Sequence, residues 1–241
     1  RRPPRSTHCI SSAASDVYKR QGASWANYGN HVLQFNGTDY IDCGNDSSLD
    51  ITNEITLEAW INPASNDGSR YILFKRNAYL FTLLNGKPTF RFWSGGALQT
   101  LHTANYIVPL NEWHHIAVTY DGTYVRIYVD GIERYASSAD SGKTIDNSAY
   151  ILQISRNYAP FNGTMDDIKI YNRALNATEI EQNYNGNVIT NGLVSEWNFN
   201  EGSGTTVHDG VGSNDGAIYG TQWIHVERHR HRYPTPGTVS Y

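Results

Sequence analysis

The stretch "HHIAVTYDGTYVRIYVDG", residues 114–131, decides the fold. Before its central Asp121-Gly122, Ile116, Val118 and Tyr120 alternate with His115, Ala117 and Thr119. After it, Val125, Ile127 and Val129 alternate with Tyr124, Arg126 and Tyr128. Successive strand side chains point to opposite faces, so each half is a strand with one apolar side. Asp-Gly tolerates the positive φ of a tight turn and joins the halves as a hairpin. An apolar sheet face must be covered, and in an all-β chain a second sheet supplies the cover. The hairpin therefore reads as half of a sandwich.

The same period extends outward. In "EITLEAWINP" (54–63), Ile55, Leu57, Ala59 and Ile61 share one face while Thr56, Glu58 and Trp60 share the other. Turn dipeptides recur at Asn36-Gly37, Asn85-Gly86, Asp130-Gly131 and Asn162-Gly163, the punctuation of many short strands. One segment departs from this pattern. "NATEIEQNYNG" (176–186) offers Asn176 as a helix cap, Glu179 three residues on to complete a capping box, and Gly186 as a stop. This predicts a short helix over 177–184.

Three strings, "ITLEAWINP", "EWHHIAVTYDGTYVRIYVDG" and "GTMDDIKIYNRALNATEIEQNYNG", follow one another in an order that resembles a laminin-G-like or pentraxin-like domain of the concanavalin A-like lectin/glucanase superfamily. The resemblance covers residues 31–186. It implies an all-β fold, a two-sheet antiparallel jelly-roll sandwich with one short helix. Residues 191–223 resemble the first strand and following loop of such a domain, yet they come after the helix that usually closes one. Residues 22–224 then form the jelly roll, with 22–186 as its main body. Residues 191–224 either fill its missing first-strand position or start a second repeat, as a repeat array cut by fragmentation of metagenomic DNA would do. With Leu193, Trp197 and Phe199 on one face, 192–200 is expected to be a strand of this same sandwich.

The two ends read differently. Residues 1–21, "RRPPRSTHCISSAASDVYKRQ", lack the apolar core of a secretory signal, and Pro3 and Pro4 would interrupt a transit-peptide helix. The string resembles a translated DNA-sequencing adapter, and Val239-Ser240-Tyr241 resemble the same adapter read on the opposite strand. We expect residues 1–21 to be artefactual and disordered, and 225–241 to be a disordered tail. Without residues 1–21 the chain has 14 basic and 22 acidic residues, a formal charge of −8. That balance argues against a nucleic-acid partner. No apolar run approaches the roughly 18 residues of a membrane span. Only Cys43 remains among the cysteines, so no internal disulfide is expected.

Catalysis finds little support in the residues. One glucanase family of the superfamily places carboxylates in a Glu-x-Asp-x-x-Glu strand, and no glutamate here has an aspartate two residues after it. Asp166 and Asp167 are adjacent, which on a regular strand points them to opposite faces. His114 and His115 would likewise diverge, so a zinc site is not expected there. Hard oxygen ligands suit calcium better, and the resemblance raises that possibility. Asp39, Asp42, Asp46 and Asp166 either cap turns or hold one structural calcium ion. The double-calcium site of pentraxins does not transfer, because Arg76-Asn77 stands at its acid-amide pair.

Sugars are held by aromatic faces and planar polar side chains. The candidates in or beside loops are Arg76, Asn77, Tyr79, Arg91, Trp93, Tyr106, Arg156, Tyr158 and Phe161, each of which could instead pack or face solvent. Trp60, Trp113 and Trp197 are assigned to structure. The resulting expectation is a non-catalytic binding module for carbohydrate at a polysaccharide or cell surface, within a larger extracellular protein. The alternatives are a protein-interaction or adhesion repeat, and an architectural spacer beside an enzyme domain.

Overall fold

The computed structural model describes residues 31–226. The expectations for residues 1–21 and 227–241 lie outside them. The strands in chain order are β1 (His31–Phe35), β2 (Tyr40–Asp42), β3 (Ile55–Pro63), β4 (Ser69–Lys75), β5 (Tyr79–Leu84), β6 (Lys87–Ser94), β7 (Ala97–Leu98), β8 (His102–Thr103) and β9 (His114–Tyr120). They continue as β10 (Val125–Val129), β11 (Ile132–Ser137), β12 (Leu152–Ser155) and β13 (Gly163–Tyr171). After the helix α1 (Ala177–Tyr184) come β14 (Leu193–Trp197), β15 (Thr206–Val207), β16 (Gly216–Tyr219) and β17 (Gln222–His225).

These strands form two antiparallel sheets. One has the order β11-β10-β9-β3-β13-β1-β17, with β14 also paired to β13; the other runs β15-β16-β2-β12-β4-β5-β6-β7, with β8 on β6. The opening hairpin is β9 and β10, in register from Tyr120↔Val125 to Ile116↔Val129. Its apolar face, Ile116, Val118, Val125 and Ile127, meets Leu73, Phe81, Phe90 and Ile154 of the opposite sheet in one continuous core. Buried apolar area of this kind is the main driving force for stacking the sheets.

The alternation understates how much of the first sheet is covered. Every residue of β9 is buried, and so are both faces of most of β3. The cover is α1. Asn183 Nδ2 donates to Glu58 Oε2 and to the Tyr171 hydroxyl, both at 2.9 Å, and the Tyr184 ring stacks on Trp60 at 5.7 Å. Beneath it Ala117, Tyr128, Tyr171, Leu175 and Ile180 make a second apolar cluster. The helix occupies the predicted residues and carries the full capping box: Asn176 Oδ1 accepts from Glu179 N, and Glu179 Oε2 accepts from Asn176 N. Arg173 clamps the same carboxylate with two nitrogens, at 2.9 and 2.7 Å. A two-turn helix is unstable alone, so this docking is what holds it.

Three local departures have identifiable causes. Asn162-Gly163 is not a hairpin turn. Gly163 opens β13 at φ 139°, where a Cβ would stand 2.2 Å from the Asn62 carbonyl oxygen. Asp166 and Asp167 do not simply alternate, because a bulge lies between Asp166 and Lys169 and Asp167 takes φ 47°. Leu193 does not share the core with Trp197 and Phe199. A register shift at Ile170/Tyr171 sends it to the cluster under α1, while the other two are fully buried between the sheets.

Residues 191–225 add strands to both sheets. Trp197 lies opposite Ile168 and donates from Nε1 to the Asn214 carbonyl at 2.8 Å. β16 extends the second sheet at β2, and β17 extends the first at β1. His225, assigned to the tail by sequence, ends β17 because it pairs with His31 across the antiparallel ladder. Among the described residues no helix is long and apolar enough to cross a membrane.

Candidate functional site

Among the described residues no helix lies over the outer face of the second sheet. Alternation along β5 and β6 sends Tyr79, Phe81, Leu83, Phe90 and Phe92 into the core and leaves Leu80, Thr82, Leu84, Thr89, Arg91 and Trp93 facing out. A bulge between Tyr71 and Leu73 in β4 brings Tyr71, Phe74 and Arg76 to that same outer side. Cross-strand register then assembles rows. Phe74, Leu80 and Arg91 are direct neighbours over three strands, and Tyr71, Thr82 and Thr89 form the next row. Together with Asn77, Leu98, Leu101 and Arg156 these residues line a cleft of about 680 Å³. A smaller recess of about 390 Å³ adjoins it through Asn77 and Trp93 and reaches Asp146.

One wall of the cleft is the segment around β7 and β8, and it is tied down. Arg91 Nε and Nη2 both donate to the Gln99 carbonyl, at 3.1 and 3.0 Å. Gln99 Nε2 donates to the carbonyls of Ser94 and Ala97, and Lys143 Nζ donates to Gln99 Oε1. Behind this, the buried Asp140 carboxylate accepts from Thr100 N, Thr100 Oγ1, Lys143 Nζ and a shared contact with His102 Nε2 at 2.8 Å. Burial pushes the Asp140 carboxyl up, but the bonds from Lys143, His102 and Thr100 outweigh it and hold the group below the usual carboxylate range. At the far end Asp146 caps the β6–β7 turn, accepting from Gly95 N at 2.8 Å and Gly96 N at 2.7 Å.

Cations and rings are interleaved on the other side. The Arg156 guanidinium lies 4.1 Å from the Phe74 ring centroid, 5.2 Å from Tyr71 and 5.4 Å from Tyr158. Arg76 sits 4.7 Å over Tyr150. Asn77, at φ 60°, turns the chain between β4 and β5.

Of the nine binding candidates read from sequence, the fold brings five to this cleft: Arg76, Asn77, Arg91, Trp93 and Arg156. Tyr158 is exposed beside it, against Arg156. The structure places the other three away from the cleft lining. Tyr79 and Phe161 are wholly buried core residues, and the Tyr79 hydroxyl donates to the Leu49 carbonyl. Tyr106 packs partly against the core under Arg134, away from the lining. Tyr71, Phe74, Thr82, Thr89 and the leucines were missed. The alternation in "YLFTLLNGKPTFRFWS" (79–94) marks half of them, since its outward positions include Leu80, Thr82, Leu84 and Thr89.

The four aspartates considered for calcium are spread over both sheets. Asp39 accepts from Asn36 N, Asp42 from Gly44 N and Asp46 from Ser48 N, each as a turn cap. The bond from Ser48 N holds the Asp46 carboxyl below its ordinary range. Asp166 is buried in the first sheet opposite Trp60. Among the described residues no three His, Cys, Asp or Glu side chains gather as a metal-ligand group. These donors fit turn capping better than a shared cation. His114 and His115 are structural, the first bonded to Asp130 Oδ2 at 2.8 Å and the second held between Trp60 and Tyr184.

Two stacked antiparallel sheets, one outer face under a helix and the other open as a cleft, define a lectin-like β-sandwich. The chain belongs to the concanavalin A-like lectin/glucanases superfamily, whose laminin-G family profile matches residues 35–181. A solved structure from Bacteroides ovatus ATCC 8483, provisionally described as a carbohydrate-binding protein, is similar over 82% of this chain with a TM-score of 0.67 and 20% identity. This chain spans 60% of that protein's length. The heptameric SAP-like pentraxin of Limulus polyphemus is similar over 80% of this chain and 97% of its own, with a TM-score of 0.56 and 13% identity. Domain 4 of AbnA, an extracellular arabinanase from Geobacillus stearothermophilus solved with arabinotriose, is similar over 63% of this chain and 75% of its own (TM-score 0.51, 18% identity). No curated protein matches the chain. At these identities the likenesses show the fold.

Proposed function

We propose that this protein is a non-catalytic module that binds carbohydrate in the cleft of its open sheet, outside the cell and as part of a larger protein. The observation that carries the reading is the cleft itself. It is an open groove in which Trp93 and Tyr71 offer ring faces, Asn77 and three guanidiniums offer planar hydrogen-bonding edges, and leucines line one wall. Glycoside hydrolysis ordinarily needs a pair of carboxyl groups across the scissile bond, and the lining of this cleft includes none. The architecture shared with the Bacteroides protein and with the arabinanase domain supports the same reading.

The test is a glycan array followed by calorimetric titration of the full chain, in calcium and again in chelator. Saturable binding is expected, and Trp93→Ala should abolish it while the melting temperature stays within a few degrees of the parent. Folded protein that binds no glycan in either buffer would overturn the reading in favour of a protein partner or a spacer. Binding lost in chelator would assign calcium a role that the dispersed aspartates do not suggest.

A further inference from the structure

We propose that the glycan held in this cleft is anionic, a polysaccharide bearing carboxylate or sulfate groups, bound through Arg76, Arg91 and Arg156. The inference rests on the carbohydrate reading above and specifies its ligand class. The chain is acidic overall, with a formal charge of −4, yet the main cleft is lined by three arginines and no acid. Three of the four described arginines elsewhere are neutralised where they stand. Arg70 pairs with Asp67 at 2.6 Å, Arg126 with Asp121 at 2.6 Å and Arg173 with Glu179 at 2.7 Å.

Of the four described arginines that make no ion pair with a described residue, three line the cleft; the fourth, Arg134, lies over Tyr106 outside it. Asp146, the one carboxylate of the adjoining recess, already accepts two backbone N–H groups. Asp146 keeps its negative charge in the recess, and the charged groups that line the main cleft itself are all positive.

The three guanidiniums are also held in place. Phe74, Tyr71 and Tyr158 surround Arg156 with ring faces, Tyr150 supports Arg76, and Arg91 spends Nε and Nη2 on Gln99 while Nη1 makes no bond to a described residue. Pre-set forks of this kind bind oxyanions through charge-assisted hydrogen bonds at little entropic cost. A lone anion would use only these groups. The leucines and Trp93 on the same groove call for apolar sugar faces between the charges, so an acidic polymer fits where a simple anion does not.

The experiment is calorimetric titration of the full chain with two matched pairs: polygalacturonate against its fully methyl-esterified form, and dextran sulfate against dextran. Each pair shares a backbone and differs in charge. At least one acidic polymer should bind about tenfold or more tightly than its neutral partner, with affinity falling as salt screens the charges. Whichever pair shows the preference identifies the anion. Arg76→Gln and Arg156→Gln should each weaken binding about tenfold, and Arg134→Gln should leave it unchanged. Melting curves accompany every variant, and exposed Arg76 carries the test should Arg156→Gln fail to fold.

Equal binding of charged and neutral members would overturn this inference and leave the carbohydrate reading standing. An equal loss in Arg134→Gln, or acidic binding that survives the double Arg76→Gln/Arg156→Gln substitution, would reduce the effect to general attraction of a polyanion and also overturn it. No binding of any of the four polymers, with a negative glycan array, removes both readings.

Discussion

The two sheets present their outer faces to different fates. On the first, α1 settles over β3, β9, β10 and β13, so that even outward-pointing Thr56, Glu58, Ala117 and Thr119 are buried. Several of its polar groups are bonded beneath the helix: Thr56 Oγ1 donates to the Arg173 carbonyl and accepts from Leu175 N, and Glu58 Oε2 accepts from Asn183. Lys169 is buried beside Glu196 at 3.3 Å. Burial pushes its ammonium down, but Asp167 and Glu196 outweigh that and keep it protonated. On the second sheet the corresponding face meets no described helix, and its arginines meet rings (Arg76, Arg156) or a backbone carbonyl (Arg91) rather than carboxylates. The first face is covered by the chain's own residues, whereas the second keeps exposed hydrogen-bonding capacity and positive charge. The proposed binding site lies on the face that no described helix covers.

Substitutions can break or sharpen that contrast. The largest effect on stability is expected from Ile180→Ala, which opens a cavity under α1 and should cost ~2–5 kcal/mol in denaturant titration without changing ligand affinity per folded molecule. Asp140→Asn tests the latch behind the cleft wall. Losing charge-assisted bonds to Lys143 and Thr100 should cost about 1–3 kcal/mol at neutral pH and loosen ligand binding as the wall relaxes.

The pH dependence of that latch has a definite sign. The native Asp140 carboxyl titrates below its unfolded value, so its contribution is present above about pH 4 and is lost as pH falls through the native value. The parent's melting temperature should therefore drop more on acidification than that of Asp140→Asn. Asn176→Ala removes half of the capping box on the covered face and should cost about 1 kcal/mol, read by urea titration. Trp93→Ala should change stability least, by less than about 1 kcal/mol, because the side chain is only partly buried. An effect on stability as large as that of Ile180→Ala would mean that the two faces are built alike.

The sandwich and the helix were legible because their signals are local. Alternation in 114–131 and the Asn176/Glu179 pair each specify an element within a few residues. The cleft was legible in part. Arg76, Asn77, Arg91, Trp93 and Arg156 stood out as planar or aromatic side chains near turns, but nearness to a turn does not say which face a residue takes. Tyr79 was misplaced for that reason, since the parity of "YLFTLL" puts it with Phe81 and Leu83. Parity itself fails at bulges. The shift at Tyr71/Leu73 turns Tyr71 and Phe74 outward, and the one at Asp166/Lys169 disturbs the two aspartates. The pairing of β1 with β17 joins residues far apart in the chain, so no local pattern could announce it.

That last pairing has a mechanical consequence. His31 and His225 stand opposite each other at one end of an antiparallel ladder, so the two outermost strand residues of the described chain are neighbours. Tension applied through both flanks pulls across the strands, along the direction of their hydrogen bonds, and peels the ladder open one rung at a time. Shear would load all the rungs together. Under load the module should yield first at the His31/His225 rung, at low force, while the sheet that carries the cleft is still folded.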